Sequence, residues 1–545
     1  MIDSSIFKNQ KKILILYFIL TIAIILIIYI ILNKKNSHLY NDSDLYPDSE
    51  TITLNLSDQK QIPWNISDVS TYVVETFSAA VHGSLISFSG TFKESTDNSV
   101  LFENYFCDGN SCYASLKKGV LFHNKREVNA YDVEFSFTRQ LIHFRNDNFA
   151  KNILSDIIGI ENLKKENLKY ITVDSNTYPS GFIEGIKVKD RYNIIFNLNN
   201  ENSHFFQKIS SGYIPIVPIE ELDSHYKKWK TFPIGFGKYR VVKADDKEFQ
   251  YVIEKVNKNE DIPKYIRFIF DEKDIGDIKS CIGLSKKNEN YDGHIIFPDI
   301  YENGGFLFNF KTELGSNKNF RKAISLALNR SGIAQTSPFG EFVPDDQMLP
   351  ESGWQKNFRA EIPVKKRNLK KAKELLETIP ESLWKDKTFH VHTFWTTNKD
   401  LNHEPYFIEI KKQLEEAGIH IIFHNTNMSY TRFTKNDQNV FWWTGFDTAT
   451  SDPNSNFAFF RNESFFNNIS PEDPHFEKLY QEATKSLSKS PIFTRNLSQY
   501  FTENNYMVIV FHLRKSLLYQ KKRISSFGNQ YSPIKILVWE LKLNN

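Results

Sequence analysis

Twenty consecutive residues from Ile13 to Leu32, ILILYFILTIAIILIIYIIL, carry no charge. Wound as a helix they span roughly 30 Å, the thickness of a bilayer's hydrocarbon core, so a membrane crossing is expected of this segment. A cleaved secretory signal has a shorter apolar stretch and a small-residue cleavage site, and neither is visible here. No cysteine follows until Cys107, so the signature of a bacterial lipid anchor is missing too. An uncleaved signal anchor fits best. Lys8, Lys11 and Lys12 precede the span and Lys34 and Lys35 follow it, a slight excess that favours a cytoplasmic N-terminus with the body outside.

The 545 residues exceed what one ordinary core holds, and two or three domains are expected. With 68 Lys+Arg against 65 Asp+Glu the net charge is only +3, too balanced for a nucleic-acid surface. Aromatic residues make up 14% of the chain, which argues against disorder. Lys521-Lys522-Arg523 reads as a solvated turn.

Cys107 and Cys112 bracket the turn sequence Asp108-Gly109-Asn110-Ser111. A disulfide closing this hairpin is geometrically plausible in an oxidising compartment; two reduced thiols beside a turn are the alternative. Cys281 carries no signal of its own.

Along the body, Val73–Val81 reads as a helix, Tyr113–Leu116 and Val120–Phe122 as short strands. Asn129 can cap a helix whose Val133, Phe137 and Leu141 share one face. Asn317 to Arg330 has an apolar face of Phe320, Ile324, Ala327 and Leu328. Pro405 to Ala417 ends at Gly418 and passes straight into the strand Ile419–Phe423, a unit typical of a layered α/β lobe. Pro474–Leu487 reads as a further helix.

Several of these runs resemble extracytoplasmic solute-binding proteins of family 5, the oligopeptide- and dipeptide-binding proteins of ABC importers. Leu116, Gly119, Val120, Phe122, His123, Ala130, Asp132, Val133, Phe135 and Ser136 fit the family's signature. The chain departs from it at Lys125, where the family usually has glycine, and at Tyr131, usually acidic. Gly185–Leu198, Ile214–Pro218 and Pro233–Arg240 follow in the family's order, the last with Phe236 and Lys238 as departures and with glycines expected to permit close backbone approach. Asn317–Arg330 matches the next helix, with Asn where acids are usual at 317 and 329. Ala372, Leu375 and Leu376 carry a further helical motif, and Met507–Gly528 resembles strands that return to the first lobe.

The resemblance implies an α/β, two-lobed clamshell of the type II periplasmic-binding-protein kind with an extra inserted domain, preceded by one N-terminal transmembrane helix. The expected divisions are a membrane anchor at 1–33, a tether at 34–47, a first lobe from 48–84, 209–302 and 506–545, an inserted domain at 85–208, and a second lobe at 303–505.

The stretch Val440–Phe460, VFWWTGFDTATSDPNSNFAFF, joins indole faces to a short-armed carboxylate. Rings supply apolar area and cation–π attraction while the acid fixes a charge, a combination suited to an organic cation. A buried strand followed by a surface turn is the plainer reading. By resemblance the segment occupies the family's Trp-x-x-Asp-x-x-Asp-Pro position, whose first acid holds a peptide's α-ammonium. Here Asp447 follows Trp443 by four residues, and Asp452-Pro453 reads as a turn brace. The ligand-binding candidates are therefore Asp447, Trp443, Trp442, Gly445 and, on the early helix, Glu75.

No phosphate-cradling glycine loop, CxxC pair, HExxH helix or nucleophile elbow occurs. His390-Val391-His392 faces one way from a strand, as metal ligands do, but surface or core histidines are the commoner case. Neither cofactor nor metal is expected, and the reading is a binding protein, not an enzyme. Its expected partners are a peptide-like solute, the permease subunits of an ABC importer and the membrane, with no nucleic acid, the protein acting as a monomer. A different solute (a nickel complex, a sugar, a signalling peptide) and a ligand-free envelope or chaperone role are the alternatives.

Overall fold

The computed structural model describes residues 45–56, 72–86, 100–143, 153–160, 163, 168–210, 214–245, 250–270, 275–280, 289–337, 339–384, 387–393, 403–424, 439–444, 452–462, 464, 466–486, 489–530 and 536–544. Two compact units are present, residues 1–51 with 545, and residues 52–544. The apolar span 13–32 lies outside the described residues, among which no helix is long and apolar enough to cross a membrane.

Residues 52–544 are organised on an eleven-stranded sheet. From one edge its strands are His420–His424, Thr388–Thr393, Val440–Thr444, Gly293–Phe308, Met507–Tyr519, Ile278–Ser280, Thr51–Asn55, Tyr265–Ile269, Gln250–Lys255 and Tyr239–Asp245; Phe342–Pro344 also pairs with Met507–Tyr519. The two long central strands run antiparallel and serve two cores. One end of Met507–Tyr519 puts Val508, Val510 and Phe511 among Phe306, Ile324, Leu414 and Trp442. Its other end puts Leu517 among Ile52, Leu54, Phe77, Tyr251 and Phe268.

The length of Gly293–Phe308 is not evident from its sequence, because Pro298 and Gly304-Gly305 are poor strand-interior residues. The pairing accommodates them with register shifts between Ile296 and Ile300, Ile300 and Glu302, and Gly304 and Gly305. A side chain at Gly305 would place its Cβ 2.4 Å from the Val508 carbonyl oxygen.

Around the core of Phe306, Ile324 and Trp442, the helices Lys318–Ala327, Leu369–Glu377 and Pro405–Glu416 cover one face of the sheet, with Phe320, Ala372 and Phe407 inward. Pro474–Lys485 and Ser490–Glu503 cover the other with Phe476, Tyr480, Leu497 and Phe501. Side chains of Asn317, Asn368 and Asp473 accept from backbone N–H groups of the first turns of three of these helices. Asn329 acts likewise on Gly332. That cap ends the helix expected through Arg330 at Ala327 and starts a new one at Arg330.

A separate four-stranded sheet, Phe102–Asp108, Ser111–Leu116, Asn193–Asn197 and Ile186–Val188, packs with the helix Ala130–His143 around Leu116, Val133, Phe137 and Phe196. Cys107 and Cys112 face each other across its hairpin and are joined by a disulfide. Val120–Phe122, expected as a strand, makes only the single bridge of Leu121 to Glu127. Its Val120 and Phe122 plug the core while the chain turns back at once, Phe122 N–H donating to the Arg126 carbonyl. Lys125, in that turn, has φ +71°.

The loop Pro233–Arg240 meets the end of the helix Tyr72–Val81 at backbone distance. Cβ atoms at Gly235 and Gly237 would lie 2.2 Å from the Val81 oxygen and 2.3 Å from the Ala80 oxygen. Close approach, not positive φ, requires glycine here.

Candidate functional site

The strand Val440–Thr444 places Trp442 in the core of Phe306, Ile324 and Leu414. Its backbone runs antiparallel to Gly293–Phe308, Trp443 opposite Gly305 and Trp442 opposite Phe306. The Trp442 indole is buried, 5.1 Å edge-on from Phe306, 5.0 Å from Phe407 and 5.9 Å from Phe511 by ring centroid. Its Nε1 finds no hydrogen-bond partner among the described residues. The side chain of Trp443, and Gly445 and Asp447 entirely, lie outside the described residues.

Glu75 is buried, 2% exposed, on the helix whose Phe77, Ala80 and Val81 belong to the other core. Trp442 and Glu75 are thus rooted in different cores. A carboxylate so deeply buried and a tryptophan edge are the two described members of the expected ligand set.

A second polar assembly lies where the segment after the four-stranded sheet meets the helix Pro474–Lys485. Ser203 donates from its backbone N–H to the Thr484 carbonyl at 2.9 Å and from Oγ to the Lys485 carbonyl at 2.6 Å. These are the last carbonyls of the helix Pro474–Lys485, which lack partners within the helix. Beside them is a cleft of about 240 Å³ lined by Asn110, Asp156, Asn202, Arg461, Tyr480 and Thr484 among others. Lys208 Nζ reaches Asp156 at 3.0 Å, and Asn202 Nδ2 donates to the same carboxylate at 2.8 Å.

Beneath this contact, Asp452 Oδ1 accepts from the backbone N–H of Asn454 at 2.9 Å, the bond of an Asp-Pro turn brace. Burial pushes the Asp452 carboxyl up to about 7. His204, equally enclosed, is pushed down to about 4 by the same cause. In both cases burial disfavours the charged form.

A sequence profile described as "Bacterial extracellular solute-binding proteins, family 5 Middle" matches residues 106–274 and 277–468. The chain belongs to this family. It is 24% identical over 356 residues to the oligopeptide-binding protein AppA of Bacillus subtilis (strain 168), 58% of each chain being covered, so it spans a little over half the length of that curated relative. Its fold is similar to that of DppA from Helicobacter pylori in complex with the peptide STSA, with a TM-score of 0.69, 15% identity, and 91% of this chain and 98% of that one covered. AgaA from A. tumefaciens R10 in complex with agropinic acid gives a TM-score of 0.67 at 17% identity, with 91% and 99% covered.

In this family 5 protein the signature residues are structural. Leu116, Val120, Phe122, Val133 and Phe137 lie in one core. Asp132 is fully buried and takes a two-pronged contact from Arg126 at 2.9 and 2.7 Å, with Tyr178 donating at 3.0 Å. Arg126 also reaches Glu220 at 2.6 Å, and Ser136 Oγ accepts from Val217 N–H, tying the helix Ala130–His143 to the segment after residue 214. His123 Nε2 contacts the Gly237 carbonyl at 3.0 Å. The assembly of Asn202, Ser203, His204 and Lys208 had no sequence signal beyond polar residues preceding the aromatic pair Phe205-Phe206.

Proposed function

We propose that this family 5 solute-binding protein captures a peptide-like solute outside the cell and hands it to an ABC importer, binding without catalysis. The observation that carries this reading is the match to an oligopeptide-binding protein along the chain, together with a fold similar to that of a peptide-bound DppA. The ligand lies between a first lobe of residues 48–84, 209–302 and 506–545 and a second of 303–505, with 85–208 inserted. Handover between lobes falls within Gly293–Phe308 and Met507–Tyr519, whose side chains change core along their length.

Asp447 holds the ligand's ammonium group, with Trp443 and Gly445 beside it, Trp442 bracing the strand from behind and Glu75 the polar contact from the first lobe. Residues 13–32 keep the body on the outer face of the cytoplasmic membrane, where the Cys107–Cys112 disulfide is stable. A mature N-terminus beyond residue 33, read by mass spectrometry, excludes that anchor.

A second reading keeps the fold and changes the solute. It is favoured by the similarity to AgaA, whose ligand is agropinic acid. A thermal-shift panel of peptides, opine-like acids, sugars and metal complexes separates the two. Stabilisation by peptides alone supports the first; stabilisation only by another class supports the second. Silence across the panel points to an envelope or chaperone role without free ligand.

A further inference from the structure

One row of side chains crosses the second lobe's sheet on a single face. Leu307 pairs with Phe441, Phe441 with His392, and His392 with His424. Residues paired across strands share a face. The inner half of the row, Leu307 and Phe441, is covered by the helices Pro474–Lys485 and Ser490–Glu503. Its outer half lies at the sheet edge and is built of imidazoles. His390, two residues before His392 and so on the same face, is exposed. Its Nδ1 stands 2.7 Å from His424 Nε2. His392 stacks on His424 with centroids 4.7 Å apart and planes 15° from parallel.

Two ring nitrogens at that distance share one proton, and which ring donates depends on the tautomer. Zinc–imidazole bonds of about 2.0–2.1 Å in a tetrahedral arrangement set two nitrogens roughly 3.3 Å apart. A shift of about half an ångström in exposed His390, with a tautomer change that moves the shared proton to the far nitrogen of its ring, therefore converts the contact into a pair of metal bonds. Among the described residues no group of three or more histidine, cysteine or acidic side chains is placed to hold a metal ion as it stands. Two imidazoles suffice as an anchor, and His392, stacked on His424, stands beside them.

We propose that His390 and His424 anchor a surface site for a borderline divalent transition metal such as Zn²⁺ or Cu²⁺, with His392 and water completing the coordination. Imidazole ligands suit these ions. The site is distinct from the residues assigned to the solute, and its existence does not depend on which solute is bound.

The test uses the full chain in a Cys281→Ser background, so that no free thiol competes. Zn²⁺ is titrated against a chromophoric chelator, and Cu²⁺ binding is followed by electron paramagnetic resonance. One equivalent of Zn²⁺ is expected, weakened at least tenfold by His390→Ala or His424→Ala, several-fold by His392→Ala, and not at all by His475→Ala, a histidine elsewhere on the surface. Copper should show coupling to two or more nitrogens. Absence of stoichiometric binding, affinity indifferent to His390 and His424, or an oxygen-only copper spectrum overturns the proposal. The copper spectrum needs no substitution of the histidines and stands even where a variant fails to fold.

Discussion

The Nδ1 atom of His204 lies 3.8 Å from Oδ1 of Asp452, and neither side chain is more than 1% exposed. The two groups respond to pH in opposite directions. Asp452 has a raised folded pKa of about 7, so the folded chain holds a proton that the unfolded chain releases above about 4. Stability from this group is present at low pH and is lost as pH rises towards 7. His204 has a lowered folded pKa of about 4, so the unfolded chain holds the extra proton up to about 6.5. Stability from this group rises between pH 4 and 6.5. Across that window the two effects cancel. Asp452→Asn should unmask the histidine and make stability climb with pH by close to one bound proton. His204→Gln should unmask the carboxyl and make stability fall from pH 4 to 7. Denaturant unfolding at several pH values decides it; parallel profiles for wild type and both variants count against the pairing.

Trp442→Ala removes an indole from between Phe306, Phe407 and Phe511. A loss of about 3–5 kcal/mol in folding free energy is expected, as for other large-to-alanine core changes. Chemical denaturation should show it with or without ligand.

Asp447→Asn is the complementary case. It keeps shape and removes charge, so peptide affinity should fall by about 2–5 kcal/mol, the range for breaking a desolvated charge pair. Calorimetry with a short peptide measures the change, and Asp452→Asn should leave that affinity nearly intact. An unchanged affinity in Asp447→Asn means that another acid holds the amine, or that the ligand has none.

Lys125→Gly concerns the backbone. The lysine has φ +71°, a conformation that costs a side-chain-bearing residue about 1–2 kcal/mol and glycine almost nothing. Glycine's greater freedom in the unfolded chain returns about half of that gain. A rise in stability of up to about 1 kcal/mol is expected, read as a higher midpoint in denaturant.

Much of the fold was readable where a residue's local chemistry decides its role. Asn129, Pro405 and Gly418 announce helix ends, and the apolar face of Phe320, Ile324 and Ala327 points where expected. Lys125, noted as an exception to the family's glycine, occupies a left-handed position that glycine suits. What stayed hidden depends on partners distant in sequence. Gly293–Phe308 becomes one strand only because Met507–Tyr519 absorbs its irregularities. His204 and Asp452 are 248 positions apart and meet only through packing. For the ligand set, sequence supplies more than the fold does, since Asp447 and Gly445 lie outside the described residues.

The paired strands Gly293–Phe308 and Met507–Tyr519 have a mechanical consequence. A ribbon of two hydrogen-bonded strands resists stretching and shearing, because either breaks its ladder, but it twists readily. Its ladder is regular at both ends, where each end is sunk in its own core, and slipped at three places between Ile296 and Gly305. Torsion imposed by one core on the other concentrates in that slipped stretch. The ribbon is built as a torsion bar whose slipped stretch would yield first if one core turned against the other.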